Sequence, residues 1–213
     1  MKQKKHSEDV FTKLSYVFIV LMLTVFLFWF DSSGYSGITE AKLTVFNIIC
    51  GGYVILTLVL IPASLATEVV SKQELKAYIK ESTWVQRLLL IFLLLTVISA
   101  LLSPYKSETW VGVSRYEGVR SIALYVLTAV FLSSFGRVKS WMAYLLGGSL
   151  LCFSAISIIQ LYGGNPFGLY PGDLNYFGAG VDYSGAYLGT IGNTDLVAGF
   201  LCVAITLLWV AVV

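Results

Sequence analysis

The sequence predicts an all-α polytopic membrane protein, a bundle of about six transmembrane helices with a cytoplasmic N-terminus. Three observations predict it. Of the 213 residues, 57% are hydrophobic and only 12% charged, and a soluble domain has no way to hide that much apolar surface. Several uninterrupted apolar runs approach the length of about 17–25 residues that crosses a bilayer as a helix. The charges fall between those runs rather than in one patch, so the net charge of +2 points to no nucleic-acid partner.

The runs are Leu14–Phe30, Leu43–Leu65, Val85–Leu102, Ser121–Phe135, Trp141–Leu161 and Leu196–Val213. Each is apolar all round, as helices facing lipid and one another are. The first follows MKQKKHSEDVFTK and imitates a signal peptide. It is longer than the usual 7–15-residue apolar core and lacks a small-residue cleavage site, so an uncleaved first span is expected. The fourth is short and has to borrow residues from its flanks.

Lys and Arg set the orientation. With the N-terminus inside, the inner segments hold Lys2, Lys4, Lys5, Lys13, Lys72, Lys76, Lys80, Arg87, Arg137 and Lys139, and the outer ones only Lys42, Lys106, Arg115 and Arg120. The whole chain, 1–213, reads as one membrane domain in a cell membrane. In the inner segment Ala66–Thr83, Ser71 and Glu74 are spaced as a capping box. Leu75, Tyr78 and Ile79 follow on one face, which fits a helix in the headgroup layer and equally a solvated linker helix.

The outer segment 162–195 is a Gly/Tyr-rich loop with nine glycines, five tyrosines and no Lys or Arg. Its aromatics argue against disorder. An ordered loop folded back on the bundle is one reading, and a spacer with tyrosines in the interfacial belt is the other. Gly51–Gly52 and Gly147–Gly148 lie inside apolar runs and are expected to let helices pack closely. Cys50, Cys152 and Cys202 are also inside runs, as small apolar residues rather than disulfide partners. The one histidine, His6, is in a polar tail, so no metal site and no cofactor site is expected.

Two motifs carry candidate chemistry. Glu108 to Ser121 reads ETWVGVSRYEGVRS and places Arg115 and Arg120 on the side where cations are disfavoured. An arginine fork matches phosphate oxygens two at a time, and a lipid-linked phosphate is the anion at hand. Gly112 and Gly118 would let backbone approach it, with Trp110 anchoring the loop at headgroup level. The alternative is that the arginines snorkel to lipid headgroups, a reading that suits Arg120 better than Arg115. The second motif, Gly189–Leu201, reads GTIGNTDLVAGFL. Asn193 or Thr194 suits a helix N-cap and Asp195 the first turn. The helix N-terminus could also face an anion, but Asp195 opposes that, so capping is the safer role.

Together the motifs resemble the O-antigen ligase and O-antigen polymerase family of bacterial membrane glycosyltransferases. Trp110, Gly112, Arg115 and Gly118 match its W-x-G-x-x-x-R-x-x-G-like segment. Gly189, Thr190, Gly192, Asn193, Ala198 and Leu201 match its G-T-x-G-N-x-N-x-x-A-x-x-L segment, with Thr194 and Asp195 where Pro and Asn are common. The resemblance implies a glycan donor linked to undecaprenyl diphosphate, gripped by outward-facing arginines without a metal. The glycan would go to a lipid, another glycan or a protein, with a histidine of a C-terminal outer loop activating the acceptor. It covers only the N-terminal half of a typical member, and His6 does not suit that role. The expectation is therefore a donor-binding half, inactive without a C-terminal remainder of the same protein. A transporter-like member and an inert remnant are the non-catalytic alternatives. Spans bare of ionisable residues speak against transport.

Overall fold

The computed structural model describes residues 2–67, 82–113, 115–169 and 189–212. Among them every element is helical. Helix α1 (Lys2–Leu21) continues into a π-helical turn, Met22–Phe26. A 3-10 turn, Gly34–Gly37, leads into α2 (Ile38–Ala66). Then come α3 (Trp84–Leu102), the short α4 (Lys106–Val111), α5 (Val119–Phe135), α6 (Ser140–Leu161) and α7 (Thr194–Val212).

Four helices are long and apolar enough to cross a membrane: Gly34–Ala66, Trp84–Leu102, Ser140–Leu161 and Thr194–Ala211. At most 28% of any of these apolar stretches is buried inside the protein. Such exposed apolar helices need lipid around them, so the chain is a helical membrane protein. Val10–Phe26 and Val119–Phe135 are apolar but shorter. At 1.5 Å per residue, the 17 residues of α5 reach about 25 Å, against a hydrocarbon layer of about 30 Å.

The last helix begins at Thr194 with Asn193 as its cap, one of the two caps the sequence offered. One expectation changes: among the described residues no neighbouring helix presses on the glycine pairs. A Cβ on Gly51, Gly52 or Gly148 would meet nothing within 4 Å among the described residues, and one on Gly147 only a Leu208 methyl at 3.9 Å. The Ser71–Glu74 box lies outside the described residues, but a capping box does start α3. The Thr83 hydroxyl accepts from the Gln86 N–H at 3.2 Å, and the Gln86 amide oxygen from the Thr83 N–H at 2.8 Å.

The contacts gather in two compact units, Met1–Ile19 with Phe46–Arg137, and Val20–Val45 with Val138–Val213. In the first, Gln86 reaches from α3 to donate to Ser133 and Ser134 of α5 at 2.8 and 3.1 Å. Phe11 stacks on Phe135 with ring centres 4.6 Å apart, and the Thr12 hydroxyl donates to the Phe135 carbonyl at the end of α5. Ser15, fully buried, pairs with the Tyr53 hydroxyl at 2.9 Å. Polar side chains inside a membrane bundle find each other in this way, since the alternative is an unpaired dipole in hydrocarbon. The second unit is built on Leu27, Phe153 and Val197, with Phe28, Ile191, Phe200 and Leu201 around them. Phe200 meets Phe153 edge-on at 5.8 Å, joining α7 to α6.

Candidate functional site

The first motif is a closed loop in the first unit. Lys106 opens α4 and turns back to donate its ammonium to the carbonyls of Ala100 and Leu101, the last turn of α3. A cation there satisfies orphan carbonyls and the negative end of the helix dipole. Glu108 sits in the first turn of α4, where the dipole favours an acid. Gly112 ends the helix with φ +89°, a conformation that L side chains avoid.

The loop then folds onto itself. A Cβ on Gly112 would lie 2.5 Å from the Glu117 nitrogen, and one on Gly118 would lie 2.5 Å from the Trp110 carbonyl oxygen. Both glycines are therefore required by the loop's own backbone, which fills the space in front of them. Tyr116 takes φ +55° without being glycine, and its carbonyl accepts from the Ser121 hydroxyl at 2.6 Å. Helix α5 starts at Val119, immediately after Gly118.

This scaffold presents Arg115 at the loop tip and Arg120 in the first turn of α5, both exposed. Among the described residues neither guanidinium has a hydrogen-bond or carboxylate partner, although Glu108 and Glu117 are exposed on the same stretch. Arg120 also stands at the positive end of its helix dipole, a costly place for a cation with no anion beside it. Trp110 is 37% exposed, so part of its indole faces outward.

The second motif belongs to the second unit, and Gly189, Thr190, Gly192 and Asn193 each have an internal partner. Gly189, at φ +52°, donates its N–H to the Gln160 amide oxygen at 2.9 Å and accepts from the Gln160 amide nitrogen at 3.3 Å. The Phe153 ring lies where a Gly189 Cβ would go. The Thr190 hydroxyl, fully buried, donates to the Leu27 carbonyl at 2.7 Å. Lys42 donates to the same carbonyl at 2.8 Å and to Phe26 at 2.6 Å, with its ammonium 5.2 Å from the centre of the Phe26 ring. Gly192 has φ +85°, and a Cβ there would come within 2.5 Å of Ile38. The Asn193 side chain accepts from the N–H groups of Asp195 and Leu196 at 2.9 and 3.2 Å. This segment is a latch between α6, α7 and the end of the first helix.

Nearby, Tyr35 donates its N–H to the Leu169 carbonyl at 2.6 Å, and Phe30 packs on Phe167 with centres 5.6 Å apart. Asp31 accepts from the Ser33 hydroxyl and N–H, and these donors hold its carboxyl below the usual range. The rest of the Gly/Tyr-rich loop, 170–188, lies outside the described residues. All three cysteines are free. Among the described residues no group of three or more His, Cys, Asp and Glu side chains is placed to hold a metal ion.

Sequence reasoning missed Gln160, Lys42 and Gln86. Gln86 carried a signal, the T-x-x-Q of a capping box at 83–86. Gln160 stands out only as an amide at the end of an apolar run, and nothing local names Gly189 as its partner. In comparison with known proteins, no family model, curated protein or solved structure matches the chain.

Proposed function

We propose that the chain is a multi-pass protein of a bacterial cell membrane, and the donor-binding half of an O-antigen ligase-like glycosyltransferase. Six helices cross, with α1 and α5 completing their spans through flanking residues, and the N-terminus is cytoplasmic. The ten inner against four outer Lys and Arg residues support that orientation. The donor is a glycan on undecaprenyl diphosphate, held at the outer surface by Arg115 and Arg120.

One observation carries this reading. Of the four outer cations, Lys42 and Lys106 are spent on helix-end carbonyls. Arg115 and Arg120 are left exposed, without partners among the described residues, on a loop closed by its own glycines. Two guanidiniums on one closed loop suit a diphosphate and would stabilise it as the leaving group.

The test is binding of undecaprenyl diphosphate to the purified chain in detergent, read as a thermal shift, with inorganic diphosphate as the lipid-free arm. A hydrogen bond between charged groups is worth about 1.5–3 kcal/mol. Arg115→Ala should therefore weaken binding by about 10–150-fold. Arg115→Lys should weaken it too, for want of the fork. Undiminished binding by Arg115→Ala would remove the basis of the proposal. Tight binding of inorganic diphosphate and none of the lipid would make this a soluble-anion site and remove it equally.

A further inference from the structure

Between the C-terminal half of α6 and the N-terminal half of α7, both in the second unit, runs a groove of about 520 Å³. That is within the range of about 300–1,000 Å³ of ligand sites. Its cause is local. Ser154 and Ser157 on α6 and Ala198 on α7 line it, and these side chains are too short to fill the space between two facing helices. The floor is firm. Phe153 is fully buried and Val197 nearly so, and the Phe153 ring is fixed edge-on by Phe200 and backed by Gly189. The Ser157 hydroxyl is spent on the Phe153 carbonyl at 3.0 Å. On the open side Ile158 and Leu161 are exposed. A groove of this kind on a helix pair that faces lipid suits a hydrocarbon chain, the material of the layer around it.

The mouth of the groove selects the headgroup. It lies where α6 ends at Leu161 and α7 begins at Thr194. Thr194 lines the groove, and its exposed hydroxyl has no hydrogen-bond partner among the described residues. Asp195 follows it, three residues before Ala198 and so on a neighbouring strip of the same helix. Its N–H is taken by the Asn193 cap, while its exposed carboxylate has no partner among the described residues. The segment 162–195 that joins these helix ends carries three acids and no Lys or Arg. Lys42, the cation of this unit on α2, is bound to the Phe26 and Leu27 carbonyls. A headgroup here meets a carboxylate and a hydroxyl donor, which attract an ammonium and repel a net anion. We propose that the α6–α7 groove holds one chain of a phospholipid whose headgroup bears an ammonium, as phosphatidylethanolamine does. Asp195 receives the ammonium and the Thr194 hydroxyl donates to the phosphate. The site is in the second unit and does not rest on the diphosphate-donor reading, which concerns the first.

The experiment uses the full chain in detergent and reads thermal unfolding with phosphatidylethanolamine or phosphatidylglycerol of the same acyl chains. At a hundredfold excess over its dissociation constant, phosphatidylethanolamine should raise the midpoint by about 5–10 °C, and phosphatidylglycerol should raise it less. Asp195→Asn should weaken phosphatidylethanolamine binding by about 1.5–5-fold, the worth of one exposed ion pair, and narrow the gap between the two lipids. Asp195→Lys should reverse their order. Ala198 is exposed, so Ala198→Phe should fill the groove and abolish the shift while the lipid-free protein unfolds near the wild-type midpoint. Equal shifts from the two lipids in the wild type would overturn the proposal. So would a phosphatidylethanolamine shift that survives Ala198→Phe. Undecaprenyl phosphate shifting the wild type as far as phosphatidylethanolamine, with loss in Ala198→Phe, would make this a prenyl-chain site and overturn it too.

Discussion

Replacing Gln160 with Leu tests whether the Gly189–Asn193 segment is a structural latch. Gln160 is fully buried, and its amide both gives to and takes from the Gly189 backbone. Leucine is close in size and leaves no large cavity, so the loss is mainly of hydrogen bonds. It strands one N–H and one C=O away from water. Each orphaned group costs about 1–3 kcal/mol, which gives about 2–6 kcal/mol for the pair. Hydrogen bonds between membrane helices measure lower, about 0.6 kcal/mol on average, because the reference state also finds partners. Gly189 belongs to a connecting segment rather than a spanning helix, so the upper scale applies, and we expect about 2–4 kcal/mol. For a chain of this size 1 kcal/mol moves the midpoint by about 2–4 °C. Thermal unfolding in detergent should therefore show a fall of about 4–16 °C, with faster amide exchange at Gly189. A midpoint within 1 °C of the wild type, with Gly189 still protected, would refute the latch.

Gly118→Ala should disorder the α4–α5 loop. Its methyl would stand 2.5 Å from the Trp110 carbonyl and 2.6 Å from the Gly112 nitrogen, and backbone on both sides cannot yield cheaply. Trp110 fluorescence should report the change, and an unaltered spectrum would contradict the closed loop. For topology, cysteine introduced as Arg115→Cys should react with a membrane-impermeant maleimide on intact cells. Lys139→Cys should react only after lysis, and the reverse pattern would invert the proposed orientation.

Several helices were legible because apolar run length and helix length are set by the same bilayer. The Asn193 cap was legible too, since an Asn before an acidic first turn is a local signal. What the sequence hid is non-local. Gly189 was a motif letter with no stated job, and its partner lies 29 residues earlier on α6. Lys42 looked like a stray outer cation, yet it meets carbonyls 15 and 16 residues before it. The number of crossings stayed ambiguous for a physical reason. A 17-residue helix such as α5 is slightly short for the hydrocarbon, so its crossing depends on flanking residues and local bilayer thinning rather than on its own length. The glycine pairs misled because glycine in an apolar helix permits close approach without compelling it.

The four cations assigned to the outer side by the proposed topology divide by chemistry as well as by place. Both lysines end their reach on adjacent carbonyls at a helix C-terminus: Phe26 and Leu27 for Lys42, Ala100 and Leu101 for Lys106. A compact ammonium on a flexible stem suits that task, because its rotatable donors converge on oxygens without a fixed plane. Both arginines lie on the six residues from Arg115 to Arg120, and neither touches a carbonyl or a carboxylate among the described residues. A guanidinium is the poorer cap and the better partner for a planar or multidentate oxyanion. If cations on this side were there only for headgroup contact, either residue would serve in either place. On the proposed reading, the sorting of ammonium to helix ends and guanidinium to the exposed loop separates a structural use of charge from a recognition use. Under the proposed diphosphate reading, a loop closed by its own glycines suits two forks that must meet one ligand together, whereas forks on a slack chain would only attract phosphates in general.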